Sequence, residues 1–271
     1  MSEETGSNDV MWEGLFTDLE HPVHRYTRRQ RAIWKHVPGH PRCKMCTVPL
    51  RGAASSMLTF TKKAPAKGNP FFCNACEVWV EEHPGGTETD MTLLFADVRG
   101  STTLAEGMEP AKFAQLMRDF YKAANAVLVK KDAWMQKPVG DEIVAMFLPI
   151  FAPNHAGTAI ESAGELLGAL GELTGRSGLE VGGGVHSGVT YIGTVGVEGT
   201  DAYDMTVLGD VPNVTSRLAS AAGAGEMLIN DGTHELSGFD LTDLEHRTLN
   251  LKGREAPLGV RVMATVGAAV S

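Results

Sequence analysis

The chain has 271 residues, of which 43% are hydrophobic and 21% charged, a globular balance that excludes wholesale disorder. Its 24 Lys and Arg against 33 Asp and Glu leave a formal net charge of −9, which disfavours general nucleic-acid binding and attraction to anionic membrane. The longest apolar run, Ile143 to Phe151, is too short to span a bilayer. The polar, acidic start MSEETGSNDV is unlike a secretory leader, so a cytoplasmic location is expected.

Residues 1–35 turn from polar to basic (His24, Arg25, Arg28, Arg29, Arg31, Lys35), with Trp12, Phe16 and Trp34 interspersed. They read as a helical or partly ordered extension docked on the body. Residues 36–86 hold all four cysteines, as Cys43-Lys-Met-Cys46 and Cys73-Asn-Ala-Cys76, and end in the linker His83-Pro84-Gly85-Gly86. In a reducing compartment two CxxC knuckles point to metal rather than disulfides. Four thiolates make a closed tetrahedral set for structural Zn²⁺, with an Fe–S cluster or a redox dithiol pair as alternatives. So short a segment has little core, and metal would supply much of its folding energy.

From Thr87 onward strands alternate with helices. Met91 to Val98 is a buried-strand run, and Pro110 to about Lys130 carries helical spacing in Phe113, Leu116, Met117, Phe120 and Tyr121. Trp134 to Val139 and Glu142 to Leu148 form a hairpin around Gly140-Asp141. A second helix runs from about Asn154 to Leu173; Leu179 to Val195, rich in Gly and Val, reads as one or two strands. Tyr203 to Leu208 is a strand, Val211 to Ala222 a helix ended by Gly223, and Met227 to Asn230 and Gly259 to Ala264 closing strands. Two crossover helices over a mixed sheet predict an α+β fold, a ferredoxin-like α/β sandwich preceded by the small four-Cys metal-binding module.

Asp97 ends an otherwise apolar strand, where a carboxylate is expensive unless paired or bound to a cation. Asp141 sits at the hairpin tip. If the two strands are neighbours, both carboxylates project at one sheet end and suit Mg²⁺ or Mn²⁺. Val98-Arg99-Gly100-Ser101-Thr102 follows as a strand-to-helix turn whose freed amides would face a phosphate. Asn213 and Arg217, four apart behind Gly209-Asp210-Val211-Pro212, share one helix face and present an amide beside a guanidinium.

Together these segments resemble the catalytic domain of the class III nucleotidyl cyclases, over roughly Met91 to Ile229. LFADVRGSTTLAE is similar to that family's first metal motif, KPVGDEIVAMF to the second and YDMTVLGDVPNVTSRL to the third. The resemblance implies that Asp97, Val98 and Asp141 hold two Mg²⁺ or Mn²⁺ ions, and that Asn213 and Arg217 act on the transition state. It also implies that Lys137 and Thr206 read the purine and, more loosely, that Lys252 in LNLKGRE binds phosphate. Lys137 with Thr206 favours ATP over GTP, since Lys can donate to adenine N1 and a hydroxyl can accept from the exocyclic amine; Thr can also donate, which loosens the choice. The implied reaction is in-line attack of the ribose 3′-hydroxyl on the α-phosphorus, yielding cyclic AMP and pyrophosphate. The implied assembly is a head-to-tail homodimer with composite sites, Asp97 and Asp141 from one subunit and Lys137, Thr206, Asn213 and Arg217 from the other. Rival readings are an inactive nucleotide-binding dimer, a zinc-ribbon interaction protein, a diguanylate cyclase and a cyclase acting on GTP or a pyrimidine nucleotide.

Overall fold

The computed structural model describes residues 2–39, 41–136, 140–196, 203–251, 253–254 and 256–264. The chain divides into two compact units, Met1–Thr89 with Tyr191–Val207, and Asp90–Thr190 with Leu208–Ser271.

In the first unit the N-terminal extension is two helices, α1 (Ser2–Phe16) and α2 (Pro22–Trp34). Pro22 opens α2, where its missing N–H is not needed, and His21 caps it by accepting from the Val23 N–H at 3.3 Å. The short α3 (Ala53–Met57) and α4 (Asn74–Glu82) complete the helices. Trp12 is fully buried; its ring meets Trp79 edge-on at 5.1 Å and its Nε1 donates to the His83 carbonyl at 2.7 Å. Two of the basic residues act locally. Arg31 donates to the carbonyls of Lys44 and Met45, and Arg42 to those of Trp34 and Thr47, tying the first cysteine knuckle to α2.

The remaining elements are β1 (Gly86–Val98), α5 (Ser101–Gly107), α6 (Pro110–Leu128), β2 (Trp134–Met135), β3 (Glu142–Phe147) and α7 (His155–Ser177). They continue with β4 (Val181–Gly196), β5 (Tyr203–Leu208), α8 (Asp210–Ala221), β6 (Glu226–Asn230), α9 (Asp231–Ser237), β7 (Glu245–Leu249) and β8 (Leu258–Ala264). The sheet order is β2-β3-β1-β4-β6-β8-β7, with β5 paired to β4. The stretch β2-β3-β1-β4, crossed by α6 and α7, is the ferredoxin-like arrangement expected from the sequence, and β6, β8 and β7 extend it.

Strand alternation divides the core in two. Leu94, Ala96 and Val98 of β1 and Met227 and Ile229 of β6 pack with α6 and α7 through Phe120, Ala124, Ile160 and Leu167. Leu228, between those β6 residues, packs instead with Val214 and Leu218 of α8 and with Val260 and Val262 of β8. Asp97 lies between Ala96 and Val98, so it points away from the α6–α7 core.

The elements α3, α4, β7 and α9 were not anticipated. The five residues of β7 include Glu245, His246 and Arg247 and carry no apolar run; pairing with β8 and the Arg247–Glu226 ion pair at 3.0 Å hold it. With five, nine and seven residues, α3, α4 and α9 are too short to show a helical period, whereas α5 opens at Ser101 where the strand-to-helix turn was expected. The expected Trp134–Val139 strand is seen at Trp134–Met135; its last three residues lie outside the described ones.

Candidate active site

Strands β1 and β3 are antiparallel with Asp97 opposite Glu142, and just beyond that pair the Val98 N–H donates to the Asp141 carbonyl at 3.2 Å. The sheet therefore brings the strand-end and hairpin-tip aspartates together, as the sequence predicts. Burial raises the Asp97 pKa; the Arg99 guanidinium opposes that rise and the Asp141 charge adds to it. Glu142 is likewise raised by burial, then by Asp97 and Asp141. Three mutually repelling carboxylates at one strand end are hard oxygen donors whose repulsion a divalent cation would relieve. The Asp97 side chain keeps 29% of its surface open, enough for a cation to reach it. The Val98 side chain is buried in the core, which leaves only its backbone to serve an ion. From α6, the Tyr121 hydroxyl donates to the Gly140 carbonyl and steadies the hairpin tip.

After Val98 the chain turns through Gly100, whose φ of +62° suits a residue without Cβ, and enters α5 at Ser101. The first amides of α5, at Ser101 and Thr102, have no intrahelical acceptor. Arg99 is engaged otherwise. Its N–H donates to the Glu180 carbonyl at 2.8 Å, and its guanidinium donates to the Ser220 and Ala222 carbonyls at the end of α8 and pairs with Asp97 at 3.4 Å. Arg99 thus satisfies carbonyls that a helix C-terminus leaves open.

Asn213 and Arg217 stand on the exposed face of α8, whose other side buries Val211, Val214, Thr215 and Leu218. The Asn213 side-chain amide donates to the Gly209 carbonyl at 2.9 Å. Thr206 lies half-buried on β5. Lys137 and Lys252 lie outside the described residues. Glu142 and the helix-capping role of Arg99 escaped the sequence reading. Glu142 was recognisable only as the neighbour of Asp141, and the Arg99 contacts span more than 120 positions.

The four cysteines converge within the first unit. Their sulfurs all lie within 4.8 Å of one another, all four residues are buried, and Cys46 and Cys73 are 3.7 Å apart. Sulfurs about 2.3 Å from a tetrahedral zinc would stand about 3.8 Å from each other, so the set fits that ion. Burial pushes the Cys43 thiol up, while hydrogen bonds among the thiols lower Cys46 and Cys73 and raise Cys76. Burial pulls Lys63 down, but the charges of Cys46, Cys76 and Cys73 outweigh it and raise the ammonium overall. Four clustered sulfurs with a lysine beside them are a set that a cation completes.

A family model described as the adenylate and guanylate cyclase catalytic domain matches residues 85–263. An adenylate cyclase of Anabaena cylindrica is 29% identical over 186 residues, 63% of this chain and 36% of that protein. Retinal guanylyl cyclase 1 of Bos taurus is 30% identical over 178 residues, 62% of this chain and 16% of that protein. The chain thus spans about a third of the first relative's length and a sixth of the second's. The crystal structure of the guanylyl cyclase Cya2 superposes with a TM-score of 0.59 at 26% identity, covering 69% of this chain and 98% of that one. No helix among the described residues is long and apolar enough to cross a membrane.

Proposed function

We infer that this chain, which belongs to the adenylate and guanylate cyclase catalytic domain family, converts ATP to 3′,5′-cyclic AMP and pyrophosphate in a homodimer. The observation that carries the reading is the meeting of Asp97 and Asp141 at one end of the β1–β3 pair, where Glu142 stands opposite Asp97. Asp97, Asp141 and the Val98 backbone would hold two Mg²⁺ or Mn²⁺ ions. When bound, these supply Lewis acidity toward the ribose 3′-hydroxyl and charge neutralisation along the triphosphate. The open amides of Ser101 and Thr102 would receive phosphate oxygens after the Gly100 turn. From the other subunit, the Asn213 amide would orient the ribose, and the Arg217 guanidinium would meet the charge that grows on the α-phosphoryl group. Lys137 and Thr206 would read the adenine edge and Lys252 a phosphate. A lone subunit then lacks a whole site, and specific activity should fall on dilution.

The four-cysteine cluster is read as a structural zinc site, because a four-sulfur set leaves no open position for chemistry. GTP is the second substrate to consider, since a retinal guanylyl cyclase and Cya2 are among the relatives.

The test is product analysis with Mn²⁺ and each of ATP, GTP, CTP and UTP. Cyclic AMP from ATP, lost in Asp97→Ala, is expected. Cyclic GMP from GTP, with no cyclic AMP from ATP, would overturn the substrate and keep the reaction class. A folded dimer that cyclises none of the four would end the enzymatic reading.

A further inference from the structure

The segment after β7 meets α8 through Leu251, Gly253 and Arg254. After β7 the Arg254 N–H donates to the Leu251 carbonyl at 3.1 Å. Gly253, just before Arg254, has φ +80°, a conformation that favours glycine. Leu251 and Arg254, on either side of Gly253, are both fastened to α8. Leu251 is buried with Val214 and Leu218, and Arg254 Nη1 pairs with Asp210 Oδ2 at 2.8 Å in the first turn of the helix. Between those anchors Gly253 faces the Arg217 guanidinium. A Cβ built on Gly253 would stand 3.4 Å from Nη1, 3.6 Å from Nη2 and 3.9 Å from Cζ of Arg217. Asp210, Asn213 and Arg217 lie three and seven apart, on one helix face, so the ion pair and Arg217 share a side.

We propose that Arg254, through its ion pair with Asp210, is a positioning residue that seats the Arg217 guanidinium for the cyclisation step. The proposal rests on the cyclase reading above. An exposed arginine on a helix has many rotamers, and a fork that must meet a transient charge gains from having few. The backbone of Gly253, held at a set height by Leu251 on one side and Arg254 on the other, limits where that fork can lie. The ion pair does little for the fold. Its side chains are 32% and 72% exposed, a setting in which such pairs contribute little stability. A latch of this kind should therefore be visible in the rate rather than in the melting temperature.

The experiment measures kcat and KM of the full chain with Mn²⁺ and whichever nucleotide it cyclises. Arg254→Ala is expected to lower kcat roughly three- to tenfold with KM within about twofold, since the lost guidance matters only when charge develops. Asp210→Asn, which breaks the same pair from the other side, should do likewise, and Arg254→Lys should recover most of the rate. In an Arg217→Lys background Arg254→Ala should change nothing further, because no guanidinium is left to seat. An unchanged kcat in Arg254→Ala and Asp210→Asn, or an equal loss in both backgrounds, overturns the latch. If Arg217→Lys keeps full kcat, the transition-state role assigned to Arg217 falls and the latch falls with it. If Arg217→Lys is impaired while Arg254→Ala is silent, only the latch is lost.

Discussion

Gly184→Ala should be a far more damaging substitution than its size suggests. Gly184 lies mid-strand in β4, where α8 crosses closely enough that a Cβ would come within 2.5 Å of Leu218 Cβ, 2.8 Å of the Ala219 nitrogen and 2.9 Å of the Thr215 carbonyl oxygen. Two of those neighbours are helix backbone, which cannot swing aside. Bringing the Ala219 nitrogen from 2.8 Å to an ordinary 3.4 Å contact moves α8 outward by about 0.6 Å, and Leu218 demands about 0.9 Å. Overpacking of this kind costs about 1–3 kcal/mol, or roughly 3–10 °C of melting temperature in a chain of this size. The helix that moves carries Asn213 and Arg217. Because a 1 Å misplacement of catalytic groups can cost about 100-fold, a shift of this size should lower kcat by at least about tenfold. Initial-rate kinetics with a thermal melt read both quantities. Gly168→Ala is the control, since a Cβ there meets nothing within 4 Å on an exposed stretch of α7; it should raise stability by up to about 1 kcal/mol and leave kcat alone. A Gly184→Ala protein with parental melting and kcat within twofold would refute the claim that this strand sets the height of α8.

Two further outcomes follow from buried groups. His155 at the start of α7 shares a hydrogen bond of 2.8 Å with Thr92, which in turn bonds Ser187 at 2.7 Å, and burial lowers its pKa against a weaker opposing pull from Asp90. The unfolded chain therefore binds the proton first, so this contribution to stability is full above about pH 6.5 and is lost as pH falls below it; His155→Gln should flatten the melting-temperature profile between about pH 7.5 and 5.5, and profiles parallel to the parent's would contradict this. Elemental analysis should find about one zinc per chain, with Cys76→Ser or a strong chelator melting the first unit early, on the scale of the several kcal/mol that structural zinc gives small modules; two or more irons with visible absorbance would replace zinc by a cluster.

Much of this protein was readable from local pattern. The apolar run of β1, the helical spacing of Leu116, Met117 and Phe120 in α6, and the small-and-apolar face of α7 each announce an element, because burial on one face imposes its period on the residues themselves. Asp97, Asp141 and the two CxxC pairs stood out for a different reason. A carboxylate in an apolar strand is expensive unless paired or bound to a cation, a second acid sat at the neighbouring hairpin tip, and paired CxxC knuckles in a reducing compartment point to metal. The same logic missed β7 and α9, since a charged edge strand and a seven-residue helix owe their form to partners far along the chain.

The sequence by itself determined the class of fold, most of its strands and long helices, and which acidic and thiol residues to look for, all of which depend on residue type and short-range spacing. Only the tertiary structure decided how those parts meet. It set Glu142 opposite Asp97, turned Arg99 onto the end of α8, gave Gly184 its reason as the seat of that helix, and laid Gly253 against Arg217. Register, close approach and the closing of ion pairs between residues tens of positions apart arise from packing, which leaves no period in the chain to read.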